Sequence, residues 1–319
     1  MINSKYCCRV SIPLLLSTLM TMAQSTATSS MYVDYQQFFG SLQIKSTSVN
    51  GSAPKPMETL RKEAALLIDE KPVANASNIP VQRPGARILD DEAIYTRRKK
   101  SVFIIGNLKH ATDSTGAISF ELTGTAFALS ADGLCATNYH VLKNIIGHES
   151  PEKVKDSVFF IMTPDNQVYF IDSILAYSQN NDLAVFRVNT NGRQLQPIPF
   201  GKPAQVGATV YCISHPLGYF YYFSKGIVAR NVTVASGQAA AGYNPNGKPP
   251  IRMEITADYG IGSSGGPILD KYGNLVGIVS STAAVGTSTL DATGNISGHQ
   301  QMVVRDTSPL IALKGLLGQ

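Results

Sequence analysis

From about Arg87 to the end of the chain, apolar positions fall in short runs broken by turn residues, a texture of strands rather than of helices. The first group of runs comprises Ser101 to Leu108, Ile118 to Ala128, Leu134 to His140, Val158 to Met162, Val168 to Tyr177 and Leu183 to Val188. The second comprises Thr209 to Ser214, Tyr219 to Val228, Arg252 to Ala257, Gly266 to Leu269, Leu275 to Ser280 and Gln301 to Arg305. Turn signals such as Ala131-Asp132-Gly133, Asn191-Gly192 and Tyr272-Gly273-Asn274 separate them. A short helix over Asp90 to Arg98 precedes the first group, and a second over 308–317 closes the chain, with Ser308-Pro309 at its start. Six strands, six more and a terminal helix predict an all-β chain of two six-stranded antiparallel barrels with a short C-terminal helix. The barrels would occupy about 100–190 and about 205–306 of a domain running from 87 to 319. Neither an internal repeat nor a βα alternation is visible, which excludes solenoids and doubly wound sheets.

Upstream of residue 87 the pattern changes. Lys5 and Arg9 precede an apolar stretch from about Val10 to Met22, and Thr21-Met22-Ala23 offers small residues before Gln24. That is the arrangement of a secretory signal peptide over 1–23, and it predicts export to the periplasm or the extracellular space. The apolar run is short for a bilayer span, and no other segment approaches the roughly 20 residues one needs. No stable membrane span is expected once the signal is removed. Cys7 and Cys8 lie before the apolar stretch, so they do not form a lipoprotein cleavage box. Residues 24–86 are rich in Ser, Thr, Asn and Pro and read as a linker or pro-segment with one short helix, where Met57, Leu60, Ala64, Leu67 and Ile68 share a face.

Composition narrows the function classes. The 319 residues, 44% hydrophobic and 15% charged, suffice for one large or two modest cores. The net charge of +5 is spread out, and the basic run Arg97-Arg98-Lys99-Lys100 follows Asp90-Asp91 as a helix dipole would favour. With no aromatic-rich basic motif, nucleic acid is not an expected partner. Cys135 and Cys212 remain after signal removal and are expected as buried free thiols in separate barrels.

The candidate chemistry starts from Gly260 to Asp270, "GIGSSGGPILD", with two serines among bare glycines. A serine hydroxyl attacks at neutral pH only when a base is within reach and a carboxylate orients that base. His140 ends the apolar run Cys135-Ala136-Thr137-Asn138-Tyr139-His140, and Asp182 precedes a strand in Asn181-Asp182-Leu183. Each alone has a bland reading, a strand-end histidine or a turn aspartate. Together, with gaps of 42 and 82 residues up to Ser264, they place a His and an Asp on the first barrel and a Ser on the second. A site in the cleft between the barrels follows. An α/β-hydrolase esterase is the rival, since Gly262-Ser263-Ser264-Gly265-Gly266 fits G-x-S-x-G and Ser264, Asp291 and His299 stand in the required order. Against it, a hairpin around Tyr272-Gly273-Asn274 follows the serine where a helix is required, and only 55 residues remain.

The segments "TGTAFALSADGLCATNYHV", "NNDLAV" and "GIGSSGGPILDKYGNLVGIVSS" resemble the His, Asp and Ser motifs of chymotrypsin-like, trypsin-fold serine endopeptidases, especially their bacterial HtrA/Deg-like branch. The resemblance spans about 87 to 319. It implies His140 as general base, Asp182 as its orienting group, Ser264 as nucleophile, and an oxyanion hole from the amides of Gly262 and Ser264. Counting back from Ser263 instead lands on Ile261, whose Cβ would crowd that hole. It further implies protein or peptide substrates, misfolded periplasmic proteins among them, and no metal or other cofactor. Ser263 stands where vertebrate digestive members carry an activating aspartate, so activation by that salt bridge is not expected. No segment after the barrels is long enough for the PDZ domain common in HtrA proteins.

For substrate binding, the resemblance puts Ala257 to Ile261 and Ser280 to Thr282 around the S1 pocket. Asp258 falls six residues before Ser264, where trypsin-like members hold the acid that pairs with Arg or Lys; the competing reading turns Asp258 elsewhere. Ser280 and Ser281 are expected to meet the extended substrate strand. Ser214 to Gly218 reads as a tight turn, since His215 has no ligand partner at metal spacing, and Gly237 to Pro250 reads as a loop beside the cleft. A catalytically silent member that binds extended peptides is the rival from another class.

Overall fold

A computed structural model describes residues 32–45, 53–74, 82–110, 118–147, 157–234, 248–290 and 296–319. The chain divides into two compact units, 1–43 and 44–319. The signal-peptide reading of 1–23, the tip of the 237–250 loop and Asp291 of the rival triad lie outside the described residues. Helix α1 (Tyr35–Lys45), which begins in the first unit, follows Asp34, whose carboxylate accepts from the Gln37 amide.

In the second unit, helices α2 (Met57–Ala64) and α3 (Asp91–Arg98) precede six strands. They are β1 (Val102–His110), β2 (Ile118–Ala128), β3 (Leu134–Thr137), β4 (Ser157–Met162), β5 (Val168–Ser178) and β6 (Leu183–Val188), with helix α4 (Tyr139–Ile146) between β3 and β4. They close antiparallel in the order β1-β2-β3-β6-β5-β4. A second group, β7 (Thr209–Ser214), β8 (Tyr222–Thr233), β9 (Ile251–Ile255), β10 (Pro267–Leu269), β11 (Leu275–Leu290) and β12 (Ile296–Pro309), closes in the order β10-β11-β12-β9-β8-β7, and helix α5 (Leu310–Leu316) ends the chain. The all-β, two-barrel expectation is met.

Period-two alternation explains why many of these strands are apolar throughout. Phe103 and Ile105 of β1, Cys135 of β3, and Ala184 and Phe186 of β6 fill the first barrel. Their neighbours Val102, Leu134, Ala136, Leu183 and Val185 turn outward into a core shared with Tyr211, Ile213, Leu269 and Leu275 of the second barrel and with Leu310, Leu313 and Leu316 of α5. The second barrel has its own interior around Val210, Cys212, Val228, Met253 and Ile268. Each buried Phe or Leu is worth roughly 1.5–3 kcal/mol of apolar transfer, so the layer between the barrels fixes their relation firmly. That relation carries the site.

Three sequence expectations change. The run expected as a strand from Leu134 to His140 stops at Thr137, and His140 instead sits in the first turn of α4. Tyr139, Leu142, Ile145 and Ile146 recur at helical spacing and are buried, and Gly147 ends the helix with a left-handed φ of 113°. The hairpin β11–β12 is far longer than expected, pairing out to Leu290 and Ile296. The segment read as a linker or pro-segment with one short helix holds α1 and α2 among its described residues, and Met57, Leu60 and Ala64 of α2 join the core of the first barrel. The helix ends at Ala64, so Leu67 is only partly buried and Ile68 is exposed.

Candidate active site

Asp182 and His140 reach each other from different elements. The turn Ser178 to Asp182 joins β5 to β6, and Asp182 closes it with a left-handed φ of 53°, a conformation that Asp tolerates better than most residues. The Asp182 amide donates to the Gln179 carbonyl at 3.2 Å, while Asn138 Nδ2, just before α4, donates to the Asp182 carbonyl at 2.7 Å. The carboxylate then faces the start of α4. Its oxygens each lie 2.9 Å from His140 Nδ1, and Oδ1 also accepts from the His140 amide at 3.1 Å. A carboxylate can only accept, so it fixes the imidazole proton on Nδ1 and leaves the Nε2 lone pair outward. Asp182 is mostly buried, whereas the His140 ring is 45% exposed and open to a reactant.

A third bond to Asp182 comes from the other barrel. Ser280 Oγ donates to Asp182 Oδ2 at 2.7 Å. The register of β11 against β12 shifts between Val279 and Ser281, and such a bulge re-aims the side chain it contains. The expected pairing of Ser280 with a substrate strand concerns its backbone; its hydroxyl braces the aspartate.

The serine loop is fixed atom by atom. The carbonyls of Gly260, Ile261, Gly262, Ser263 and Ser264 all accept hydrogen bonds, from Ser263 N, Leu217 N, Thr125 Oγ1, Gly266 N and Thr125 N respectively. Two of these donors belong to Thr125 of β2, so the loop docks on the first barrel. Gly262 and Gly265 have φ of 91° and 85°, and a Cβ at Gly265 would collide with the Thr125 carbonyl oxygen and the Thr137 hydroxyl. A Cβ at Gly124 would meet both the Ser264 carbonyl oxygen and Val141, next to His140, which places the serine loop beside α4. With every carbonyl taken, the amides of Gly262 and Ser264 donate to nothing among the described residues. Two free N–H groups flanking a serine can bind an anionic oxygen.

Ser263, the neutral residue at the activation position, is fully buried. Its hydroxyl lies 2.9 Å from Ser214 Oγ and accepts from the Gly260 amide at 3.3 Å. Behind the loop, burial pushes the His215 imidazole down to a pKa of about 3, and its Nδ1 accepts from the Tyr221 amide at 3.0 Å. His215 is thus a neutral structural group beside the short helical turn Pro216–Gly218.

Asp258 does not stand as a free acid. Its side chain is 67% exposed, and Oδ1 lies 2.5 Å from Arg305 Nη2 of β12, which neutralises it. The neighbouring Tyr259 is buried, its hydroxyl against the carbonyls of Ser281 (3.0 Å) and Asp306 (2.7 Å), so it ties together the segments expected to wall the S1 pocket. Cys135 and Cys212 are free and buried, their thiols pushed far toward the neutral form by desolvation. Sequence reasoning missed the Ser280 hydroxyl, Asn138 and Thr125. All three act across long sequence separations and leave no local signal.

The trypsin-like peptidase domain matches residues 124–278, a stretch that contains His140, Asp182 and Ser264. The chain is 28% identical over 228 residues to Protease Do-like 5, chloroplastic, of Arabidopsis thaliana, which covers 68% of each protein. It is 27% identical over 158 residues to a probable periplasmic serine endoprotease DegP-like of Hahella chejuensis, covering 50% of this chain and 29% of that one. It thus spans about two thirds of the first relative and under a third of the second. Among solved structures, the HtrA-type protease AlgW with decapeptide shares the fold with a TM-score of 0.51 at 18% identity, over 72% of this chain and 66% of that one. The domain match and these relatives support a trypsin-like, HtrA/Deg-like serine-type endopeptidase, and the solved structure shares its fold.

Proposed function

We propose that this chain hydrolyses peptide bonds in protein substrates through a His140-Asp182-Ser264 triad and an acyl-enzyme on Ser264. Ser264 Oγ attacks the scissile carbonyl carbon as His140 Nε2 takes its proton, and the electron pair of the carbonyl moves to oxygen. The amides of Gly262 and Ser264 receive that oxyanion. Collapse of the tetrahedral species breaks the C–N bond, and the leaving amine takes the proton from His140. Water, deprotonated by the same imidazole, then releases the acyl group and restores the serine. The observation that carries this reading is the double contact of the Asp182 carboxylate with His140 Nδ1, 2.9 Å to each oxygen, beside a serine loop whose Gly262 and Ser264 amides donate to no partner among the described residues.

On substrate choice, the Asp258–Arg305 ion pair supports uncharged rather than basic P1 residues. We also read the N-terminal 1–23 as an export signal; relatives described as chloroplastic and as periplasmic both exist, so this rests on the basic, apolar and small-residue pattern itself.

Peptidyl phosphonate probes bearing Val or Lys at P1 test the catalytic reading. The parent and Ser263→Ala should become labelled, faster with Val, and Ser264→Ala should not. Labelling retained in Ser264→Ala would overturn the nucleophile assignment. An unlabelled but folded parent that still binds extended peptides would favour the silent binder, and faster labelling with Lys would return Asp258 to the pocket.

A further inference from the structure

We propose that residues 57–74 are a strap that positions His140 against Asp182, with Asp69 as its principal positioning residue; the proposal rests on the triad reading above. A segment with linker-like composition has no composition-level reason to touch the site, yet this one grips both triad elements of the first barrel. On α2, Met57, Leu60 and Ala64 share a core with Tyr139, Val141, Leu142, Ile145 and Ile146 of α4, the helix that carries His140. Arg61 adds a hydrogen bond from its guanidinium to the Asn144 carbonyl near the end of that helix.

Beyond α2 the strap turns to the other partner. The Glu70 amide donates to the Tyr177 carbonyl at 2.9 Å, with Glu70 itself at a left-handed φ of 60°, and the Glu70 carboxylate accepts from Ser178 Oγ at 3.3 Å. Asp69 Oδ1 accepts from the Gln179 amide at 2.9 Å. The carbonyl of that same Gln179 accepts from the Asp182 amide. Two consecutive hydrogen bonds therefore lead from the strap to the residue whose left-handed backbone aims the carboxylate at His140. Tyr139 of α4 stacks on Tyr177 at 5.5 Å, so the two gripped elements also meet each other under the strap. The strap is finally anchored where the Val73 amide donates to the Leu316 carbonyl of α5 at 3.0 Å.

A hydrogen bond between two catalytic groups on separate elements tolerates displacements of only about 0.5 Å before function suffers. The turn has other holds, among them Arg252 Nη2 on the Asn180 carbonyl at 2.8 Å and Ser308 Oγ on the Asn181 carbonyl. Removing Asp69 should therefore loosen the aim of Asp182 without unfolding the chain.

The test compares Asp69→Ala, which loses the acceptor, with Asp69→Asn, which keeps an oxygen for the Gln179 amide. Peptide hydrolysis, thermal melting and the downfield imidazole N–H resonance of His140 are measured on the full chain. Asp69→Ala should lower kcat on the order of tenfold with KM little changed and weaken the resonance, whereas Asp69→Asn should stay within about twofold of the parent in both. Lys62→Ala, on the exposed face of α2, serves as an unchanged control. Equal kcat in Asp69→Ala and the parent, measured below the melting transition of each, would overturn the strap, as would an Asp69→Asn loss as large as that of Asp69→Ala. Hydrolysis that persists in Ser264→Ala would overturn the triad itself, whereas loss in Ser264→Ala with an unaltered Asp69→Ala would overturn only the strap.

Discussion

His215 shows how one buried side chain can set a pH limit without touching chemistry. It is 3% exposed, and desolvation lowers its pKa from 6.5 to about 3. Between those two values the unfolded chain binds a proton that the folded chain refuses, so stability is complete above about pH 6.5 and is lost as pH falls toward 3. The loss from this group is of the order of a few kcal/mol at most. His215→Asn keeps an acceptor for the Tyr221 amide and removes the titration. Urea midpoints measured from pH 7 to pH 4 should fall less steeply in that variant than in the parent, and parallel slopes would remove His215 as the cause. Ser280, Asn138 and Asp258 make a related point. Their residue types are legible in the sequence, but what each hydroxyl, amide or carboxylate meets is not.

Among the elements, the serine loop and β2 form the joint between the barrels. Thr125 supplies two donors to that loop, its amide to Ser264 and its hydroxyl to Gly262 at 3.0 Å. Thr125→Val keeps the β-branched shape and the amide while removing the hydroxyl, so the Gly262 carbonyl loses its partner. A hydrogen bond of this kind contributes about 1 kcal/mol, and kcat should fall roughly fivefold with the melting temperature little changed. Single-turnover acylation rates would check this; an unchanged rate would mean that the loop holds its shape without the hydroxyl. Strand runs such as Thr209 to Ser214 were legible because alternation and bounding turn residues act locally. α4 is hidden because the run Leu134 to His140 reads as one strand, although Tyr139, Leu142, Ile145 and Gly147 carry a helix pattern and its stop signal.

At the scale of the whole molecule, Cys135 and Cys212 are interior free thiols, one in each barrel, and among the described residues neither barrel depends on a disulfide. The barrels can then fold whatever the redox poise of the compartment they reach. Expression with the intact N-terminus in a bacterial host should yield protein outside the cytoplasm that begins at Gln24 by intact mass. Recovery of the full 319-residue chain from the cytoplasmic fraction alone would count against export. Among the described residues no helix is long and apolar enough to cross a membrane.

The number of strands, their grouping into two sixes and the choice of His140, Asp182 and Ser264 as candidates were determined by sequence, because alternation, turn chemistry and short motifs are written in neighbouring residues. Tertiary structure alone decided what surrounds them. Ser280 braces Asp182 across 98 positions, Asp69 holds the Asp182 turn across 110, and Arg305 neutralises Asp258 across 47. Such contacts exist only once two closed barrels and an apolar layer between them have fixed distant backbones, and no local pattern encodes where two strands will meet.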